Sequence, residues 1–318
     1  MKVSGIRVEL TDACNLRCKH CLRKQARPAQ YIPIAVIRTL IAQARPFGIT
    51  EVGLTGGEPT QHPQFKEIVN TFSRAGYAIT LFTNGADFGR AYKIISGARN
   101  NLREVRLSLD GAQAETHDKN RGKGSYAQVI EAAKICRSAG LAFSLNTVIS
   151  QLNKSELAAL ARLAGELGSR AIFFSHLQLT GRPLSHSLAL SPQERLRAER
   201  AVRNLQKQSS AGKIYLCAGA YAQNPVLLCP VPLGSFYADC KGNIAFCAML
   251  SSLDLPLNGS QLISNLRETT LAAARRKLLQ RYALFAHDRM RDFFSRRLKL
   301  ADHFPCDWCL KYFKKTNA

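Results

Sequence analysis

Between Ile6 and Gln208 the chain repeats one pattern, a short apolar run followed by a longer segment with apolar residues at helical spacing. The opening run carries Ile6, Val8 and Leu10. Further strand-like runs fall at 51–55, 77–82, 104–109, 141–149 and 171–176, and helical periodicity falls at 33–44, 63–75, 88–97, 125–139, 154–166 and 192–208. Pro33 suits the first turn of its helix, where no backbone donor is required. Strands joined through helices pair in parallel, so six such units predict an α/β fold: a partial (β/α)6 TIM-like barrel, closed or nearly closed. Barrels of this kind place their chemistry at the carboxyl ends of the strands.

Beyond about residue 210 the rhythm changes. The stretch Ser209-Ser210-Ala211-Gly212 sets a boundary between a barrel domain, 1–210, and an appended unit, 211–318. There, residues 236–239 and 243–246 flank Lys241-Gly242 and predict a β-hairpin with glycine at the turn. Basic helical segments follow at 261–280 and 284–299, and the chain closes with Pro305-Cys306-Asp307-Trp308-Cys309.

Directly after the first strand stands Cys14-Asn15-Leu16-Arg17-Cys18-Lys19-His20-Cys21. Three thiolates this close on one loop suit three irons of a cubane iron–sulfur cluster and leave the fourth iron open. Zinc is the competing reading, but zinc sites usually pair Cys-x-x-Cys with a second such pair, and the x-x-x spacing is not the usual zinc form. Ten cysteines could also form a disulfide framework. The first strand begins within a few residues of Met1, with no secretory leader, so the expected compartment is the reducing cytoplasm, where clustered cysteines mean metal. No run approaches the roughly 18 apolar residues of a membrane span.

Lys plus Arg number 45 against 22 Asp plus Glu, a net charge of +23. Such a field concentrates anions, which favours a phosphorylated, nucleotidyl or carboxylate substrate, a nucleic acid, or an acidic partner. The plain alternative is a solvated basic surface, since the charges are spread along the chain. They are densest in 261–318, with 13 Lys or Arg against 5 Asp or Glu.

The cysteine triplet together with Gly56-Gly57-Glu58-Pro59, at the end of the second strand, resembles the radical S-adenosylmethionine (SAM) enzymes. By that resemblance Cys14, Cys18 and Cys21 hold a [4Fe–4S] cluster whose open iron chelates SAM, and reductive cleavage yields a 5′-deoxyadenosyl radical. The resemblance puts His20 by the adenine. Gly56, Gly57 and Glu58 lie at the methionine amino group, Ser108 and Asp110 at the ribose, and Arg121 at the carboxylate, with Asn146 nearby. On the residues alone, these strand-end polar groups could instead satisfy loop backbone, and the glycines could be an ordinary turn.

The later cysteines, with twelve residues between Cys229 and Gly242, four between Gly242 and Cys247, then Cys306-x-x-Cys309, resemble the family's small twitch extension, a truncated SPASM module. That implies one auxiliary [4Fe–4S] cluster held by Cys229, Cys247, Cys306 and Cys309; four cysteines would equally suit structural zinc on chemistry alone. Cys136 reads as core and Cys217 as ambiguous. Cys240 is either a turn residue or a thiol that returns hydrogen to a substrate radical.

The function implied is hydrogen abstraction from an anionic, sugar- or nucleotide-derived small molecule, ending in epimerisation or dehydrogenation. The electron donor expected is flavodoxin or ferredoxin. The alternatives are maturation of a ribosomally made peptide, RNA or nucleotide modification on the basic C-terminal helices, which is less favoured, and a zinc-stabilised binding module without catalysis.

Overall fold

A computed structural model describes all residues except 1–2, 24–26, 179–182, 209–212, 218–219, 222–228, 252–256, 258 and 315–318. The expected boundary at 209–212 lies outside the described residues. Among the described residues ten strands form one sheet: β1 (Gly5–Glu9), β2 (Glu51–Thr55), β3 (Ala78–Thr83), β4 (Leu102–Ser108), β5 (Phe143–Ile149), β6 (Ala171–His176), β7 (Lys213–Leu216), β8 (Ser235–Ala238), β9 (Asn243–Ala245) and β10 (Leu262–Asn265). Their order is β10-β9-β8-β1-β2-β3-β4-β5-β6-β7. Strands β1 to β7 run parallel, β8 pairs parallel to β1, and β8, β9 and β10 are antiparallel neighbours.

The barrel is therefore partial, as expected, but open: β1 takes β8 as its second neighbour, and β7 and β10 stand at the sheet's two ends. The seventh parallel strand was not legible because four residues are too few to establish a period.

The two faces of the sheet differ in a way that creates a site. Ile6, Val8, Val52, Leu54, Ile79, Leu81, Val105, Leu107, Leu145 and Phe174 are buried in the main apolar core with the helices. The alternate positions carry Arg7 and Glu9 on β1, Glu104 and Arg106 on β4, and Ser144 and Asn146 on β5. Successive residues on a strand point to opposite faces. The concave side is thus polar, whereas a barrel that only packs upon itself fills its interior with branched apolar residues.

The predicted hairpin is β8–β9, with Tyr237 opposite Ala245 and Ala238 opposite Ile244. Gly242 sits at φ 86°, the left-handed conformation that favours glycine. Asp239 Oδ1 accepts the backbone N–H of Lys241 at 2.9 Å and of Asn243 at 2.8 Å, which fixes the turn.

The two basic helices expected at 261–280 and 284–299 are instead β10 followed by one helix, Leu271–Phe294, of 24 residues. Thr270 starts it by accepting the N–H of Ala273 at 3.2 Å, and no glycine or proline interrupts the segment. This helix and the helix Pro305–Lys314 bury Phe246, Leu278, Phe285, Trp308 and Phe313 in a second apolar cluster. None of the described helices is long and apolar enough to cross a membrane.

Candidate functional site

Two cysteine sites flank the concave side. The first grows from the carboxyl ends of β1 and β2. Leu10 is fully buried and anchors the exit of β1, after which the backbone turns across the rim. The N–H of Gly57 donates to the carbonyl of Thr11 at 2.7 Å, and that of Glu58 to the carbonyl of Ala13 at 2.8 Å. A Cβ at Gly56 would stand 2.5 Å from the Thr11 oxygen, and one at Gly57 2.3 Å from the Ala13 oxygen. The two glycines thus let the end of β2 lie directly against the backbone that leads into Cys14. Only residues without a side chain permit this approach.

Glu58 is fully buried, and its Oε1 accepts the hydroxyls of Thr60 at 2.8 Å and Thr83 at 2.9 Å. Its Oε2 accepts one protein donor, the N–H of Asn84 at 2.8 Å, so lone-pair capacity remains there. Burial pushes the Glu58 carboxyl up, against these hydrogen bonds. Asn84 in turn donates to Asn15 Oδ1 at 2.8 Å and approaches Cys14 Sγ at 3.8 Å, tying the end of β3 to the cysteine loop.

On the other side of the loop, Asp110 is the hub. Its Oδ2 accepts Arg121 Nε at 2.6 Å and Asn120 Nδ2 at 2.9 Å, and lies 3.6 Å from His20 Nε2. Its Oδ1 accepts the N–H of Val148 at 2.9 Å. Burial alone would raise this carboxyl, but Arg121, His20 and the Val148 amide outweigh it and hold it down to about 2. His20 Nδ1 bonds Asn120 Oδ1 at 2.9 Å, and Arg121 Nη1 reaches Cys18 Sγ at 3.9 Å. Ser108 and Asn146 are opposite one another on β4 and β5, half-buried and facing the concave side, and neither side chain has a hydrogen bond among the described residues.

The structure therefore brings Cys14, Cys18, Cys21, His20, Gly56, Gly57, Glu58, Ser108, Asp110, Arg121 and Asn146 to one rim. Thr11, Thr83, Asn84 and Asn120, which hold that rim together, escaped sequence reasoning. Thr83-Asn84-Gly85 at a strand end was the available signal.

The second site is a recess lined by Cys229, Cys247, Cys306 and Cys309 together with Phe246, Phe285 and Leu310. Cys306 and Cys309 lie three residues apart on the helix Pro305–Lys314 and so share a face. Arg195 of the helix Pro192–Gln208 holds this second helix by a two-pronged bond to Asp307, 2.8 Å on each oxygen.

Burial pushes all four thiols up, Cys247 to about 11, and each would repel the others as a thiolate. Burial likewise raises Cys14 to about 12 and raises Cys18. Thiolates so placed require cations to stay ionised. Among the described residues no three His, Cys, Asp or Glu side chains gather as around one metal ion. A cubane would take its thiolates on separate irons, and both sets are of the all-cysteine donor type that such a cluster takes.

Between the two sites lies a cavity of about 160 Å³ lined by Arg7, Leu22, Arg23, Thr55, Phe82, Tyr237, Ala248 and Met249. Leu22 and Arg23 follow Cys21, and Ala248 and Met249 follow Cys247. Cys240 lines neither this cavity nor the recess; it is 5% exposed, and burial and the carboxylates of Glu9, Asp12 and Asp239 press its thiol toward the neutral form. Cys136 is fully buried core, as expected.

An open parallel barrel with a three-cysteine loop on its carboxyl rim defines a class of cluster-bearing barrel proteins. The family follows from comparison: residues 8–164 match the Radical SAM superfamily, so the chain carries a radical SAM domain. This family uses SAM and a [4Fe–4S] cluster, and the cysteine-rich C-terminal region fits a twitch or SPASM extension. An AdoMet-dependent heme synthase from Methanosarcina barkeri is 32% identical over 67% of this chain and 61% of its own length. A PqqA peptide cyclase from Streptomyces rochei is 28% identical over 70% of this chain and 62% of its own length. Streptococcus suis SuiB bound to precursor peptide SuiA shares the fold, with TM-score 0.69 and 15% identity, over 86% of this chain and 65% of that one. The chain thus spans about three fifths of the length of these curated relatives.

Proposed function

We infer that this chain is a radical SAM maturase acting on a ribosomally made peptide. The observation that carries the two-cluster reading is the cavity bounded by the residues after Cys21 on one side and after Cys247 on the other. Relatives named for peptides, the PqqA cyclase and SuiB, support a peptide over the small molecule expected from charge. The small-molecule reading keeps one support, the relative named as a heme synthase.

In this reading Cys14, Cys18 and Cys21 hold the SAM-binding cluster, and Cys229, Cys247, Cys306 and Cys309 hold the auxiliary one. The bound cluster and SAM supply one-electron cleavage and hydrogen-atom abstraction. The chain's own residues position. Gly56 and Gly57 seat the cysteine loop, and Asp110 orients Arg121 and His20 beside Cys18. Ser108 and Asn146 offer unpaired polar groups, and Glu58 Oε2 one acceptor, to SAM. The unit 211–318 brings the auxiliary cysteines to the cavity's far side. Clusters sensitive to oxidation favour the reducing cytoplasm and a flavodoxin- or ferredoxin-type donor.

The test is anaerobic turnover of reduced, cluster-loaded protein with SAM and deuterated cellular peptides, or with deuterated small metabolites. Deuterium is then followed into 5′-deoxyadenosine. Transfer from the peptide fraction is expected. Transfer only from small metabolites replaces this reading with the second one, and absence of 5′-deoxyadenosine contradicts both.

A further inference from the structure

The cavity between the two cysteine sites carries a charge that the reading above leaves unused. Arg7, on the concave face of β1, lies opposite Gly53 of β2. A Cβ on Gly53 would meet Arg7 Cγ at 3.1 Å and Phe82 Cε2 at 3.0 Å, so the glycine makes the space that the arginine stem and the ring occupy. The Phe82 ring lies between two guanidiniums, with Arg7 Cζ 4.9 Å and Arg106 Cζ 5.3 Å from its centroid. Arg106 also lies 4.0 Å over Phe173, which stacks on Tyr215 at 4.9 Å. A row of cation, ring, cation and two stacked rings thus runs across β1, β3, β4, β6 and β7.

Two of the three arginines here have carboxylates. Arg106 Nε bonds Glu104 Oε1 at 2.6 Å, and Arg23 pairs with the fully buried Glu9, whose Oε2 also accepts the Tyr237 hydroxyl at 2.7 Å. Arg7 has none: among the described residues it forms no ion pair or hydrogen bond, Arg106 faces it with like charge, and the opposing groups are the thiols of Cys247 and Cys217 and the Tyr237 hydroxyl. Arg7 is exposed, and as a lining residue of the cavity it stands open to an incoming ligand. A guanidinium with no carboxylate partner keeps its fork free for a ligand, and the Phe82 face beside it adds only a modest attraction.

The geometry points to Arg7 as the anion-recognising residue of the substrate cavity, taking a carboxylate of the substrate in its guanidinium fork. This inference rests on reading the cavity as substrate space in a radical SAM enzyme. The fork suits a carboxylate because two parallel N–H groups meet two oxygens, and Gly53 and Phe82 hold it in one orientation. A peptide presents such a group as an Asp or Glu side chain or a C-terminus, and a small acid presents its own.

The experiment titrates cluster-loaded, SAM-bound protein with two probe pairs. N-acetyl-glutamate N-methylamide is set against its glutamine counterpart, and glutarate against glutaramide. Wild type is expected to prefer the carboxylate member of at least one pair by about ten- to a hundredfold, the range of a charge-assisted bidentate bond. Arg7→Met erases the preference, and Arg7→Lys, which keeps charge without the fork, restores part of it. Gly53→Ala, which crowds both Arg7 and Phe82, weakens it. Preference for the glutamyl probe alone assigns a peptide, and preference for glutarate alone a free acid.

Equal binding within both pairs, binding of neither pair, or a preference that survives Arg7→Met overturns the inference. A shifted auxiliary-cluster potential in Arg7→Met, with the probe preference intact, assigns the charge to the cluster and overturns it as well. SAM cleavage by the wild type is followed separately, so failure of the radical reading is distinguished from failure of this one.

Discussion

Gly57→Ala would place a Cβ 2.3 Å from the Ala13 carbonyl oxygen and 2.7 Å from that of Asp12, where ordinary contact begins at 3.4 Å. Both neighbours are backbone, so no side chain can swing aside, and in a close-packed interior the loop must recede by about 1 Å. That movement breaks the bonds from Gly57 N–H to Thr11 O, 2.7 Å, and from Glu58 N–H to Ala13 O, 2.8 Å. Each contributes about 1 kcal/mol, and leaving a carbonyl unsatisfied adds a comparable penalty, so a stability loss of about 2–3 kcal/mol is expected. Cys14 is the next residue along, and a misplacement of about 1 Å in a catalytic array costs about a hundredfold in rate. Urea unfolding measures the first effect. Release of 5′-deoxyadenosine by reconstituted protein, normalised to bound iron, measures the second. A Gly57→Ala protein with wild-type stability and wild-type SAM cleavage would refute the coupling of the two motifs.

Other consequences follow from the same packing. Asp110 is held down to about 2 from its ordinary 3.8, so its contribution is complete above about pH 4 and is lost as pH falls through the folded value. Arg121→Met removes the largest lowering influence, and urea midpoints across the acid range should show unfolding beginning at higher pH than in wild type. Arg195→Met leaves Asp307 without its two-pronged partner and should cost about 3 kcal/mol, with Arg195→Met/Asp307→Asn recovering part of it. Iron should be lost from the auxiliary site first, read as a fall toward half the wild-type content. Cys136→Ala, at a fully buried position, should lower stability by about 1–2 kcal/mol while iron content stays unchanged. Cys240→Ala decides the hydrogen-donor proposal: product formation at the wild-type level, with both clusters retained, excludes it.

Much of the barrel was legible because alternating strand and helix periods are long and regular from Ile6 to Gln208. The hairpin was legible because Gly242 has a turn chemistry of its own. The single helix Leu271–Phe294 was misread as two because basic residues blur its apolar face, and β10 is stabilised by pairing with β9, a contact no local window contains. The cysteines announce themselves by spacing. Arg7, Gly53, Phe82 and Arg106 do not, since they come from four separate strands and acquire meaning only where the sheet brings them side by side. The carboxylates Glu58 and Asp110 carried a second surprise: most of their acceptor capacity already serves the protein, Asp110 tying the cysteine loop to β4 and β5.

The central claim, two clusters held by two separate cysteine sets, is tested most directly by counting iron and acid-labile sulfide in anaerobically reconstituted protein. Two cubanes give about eight of each per chain. Replacing Cys14, Cys18 and Cys21 together by alanine should leave about four, and replacing Cys306 and Cys309 should leave the other four. Zinc without sulfide, or an undiminished count after either replacement, would contradict the account.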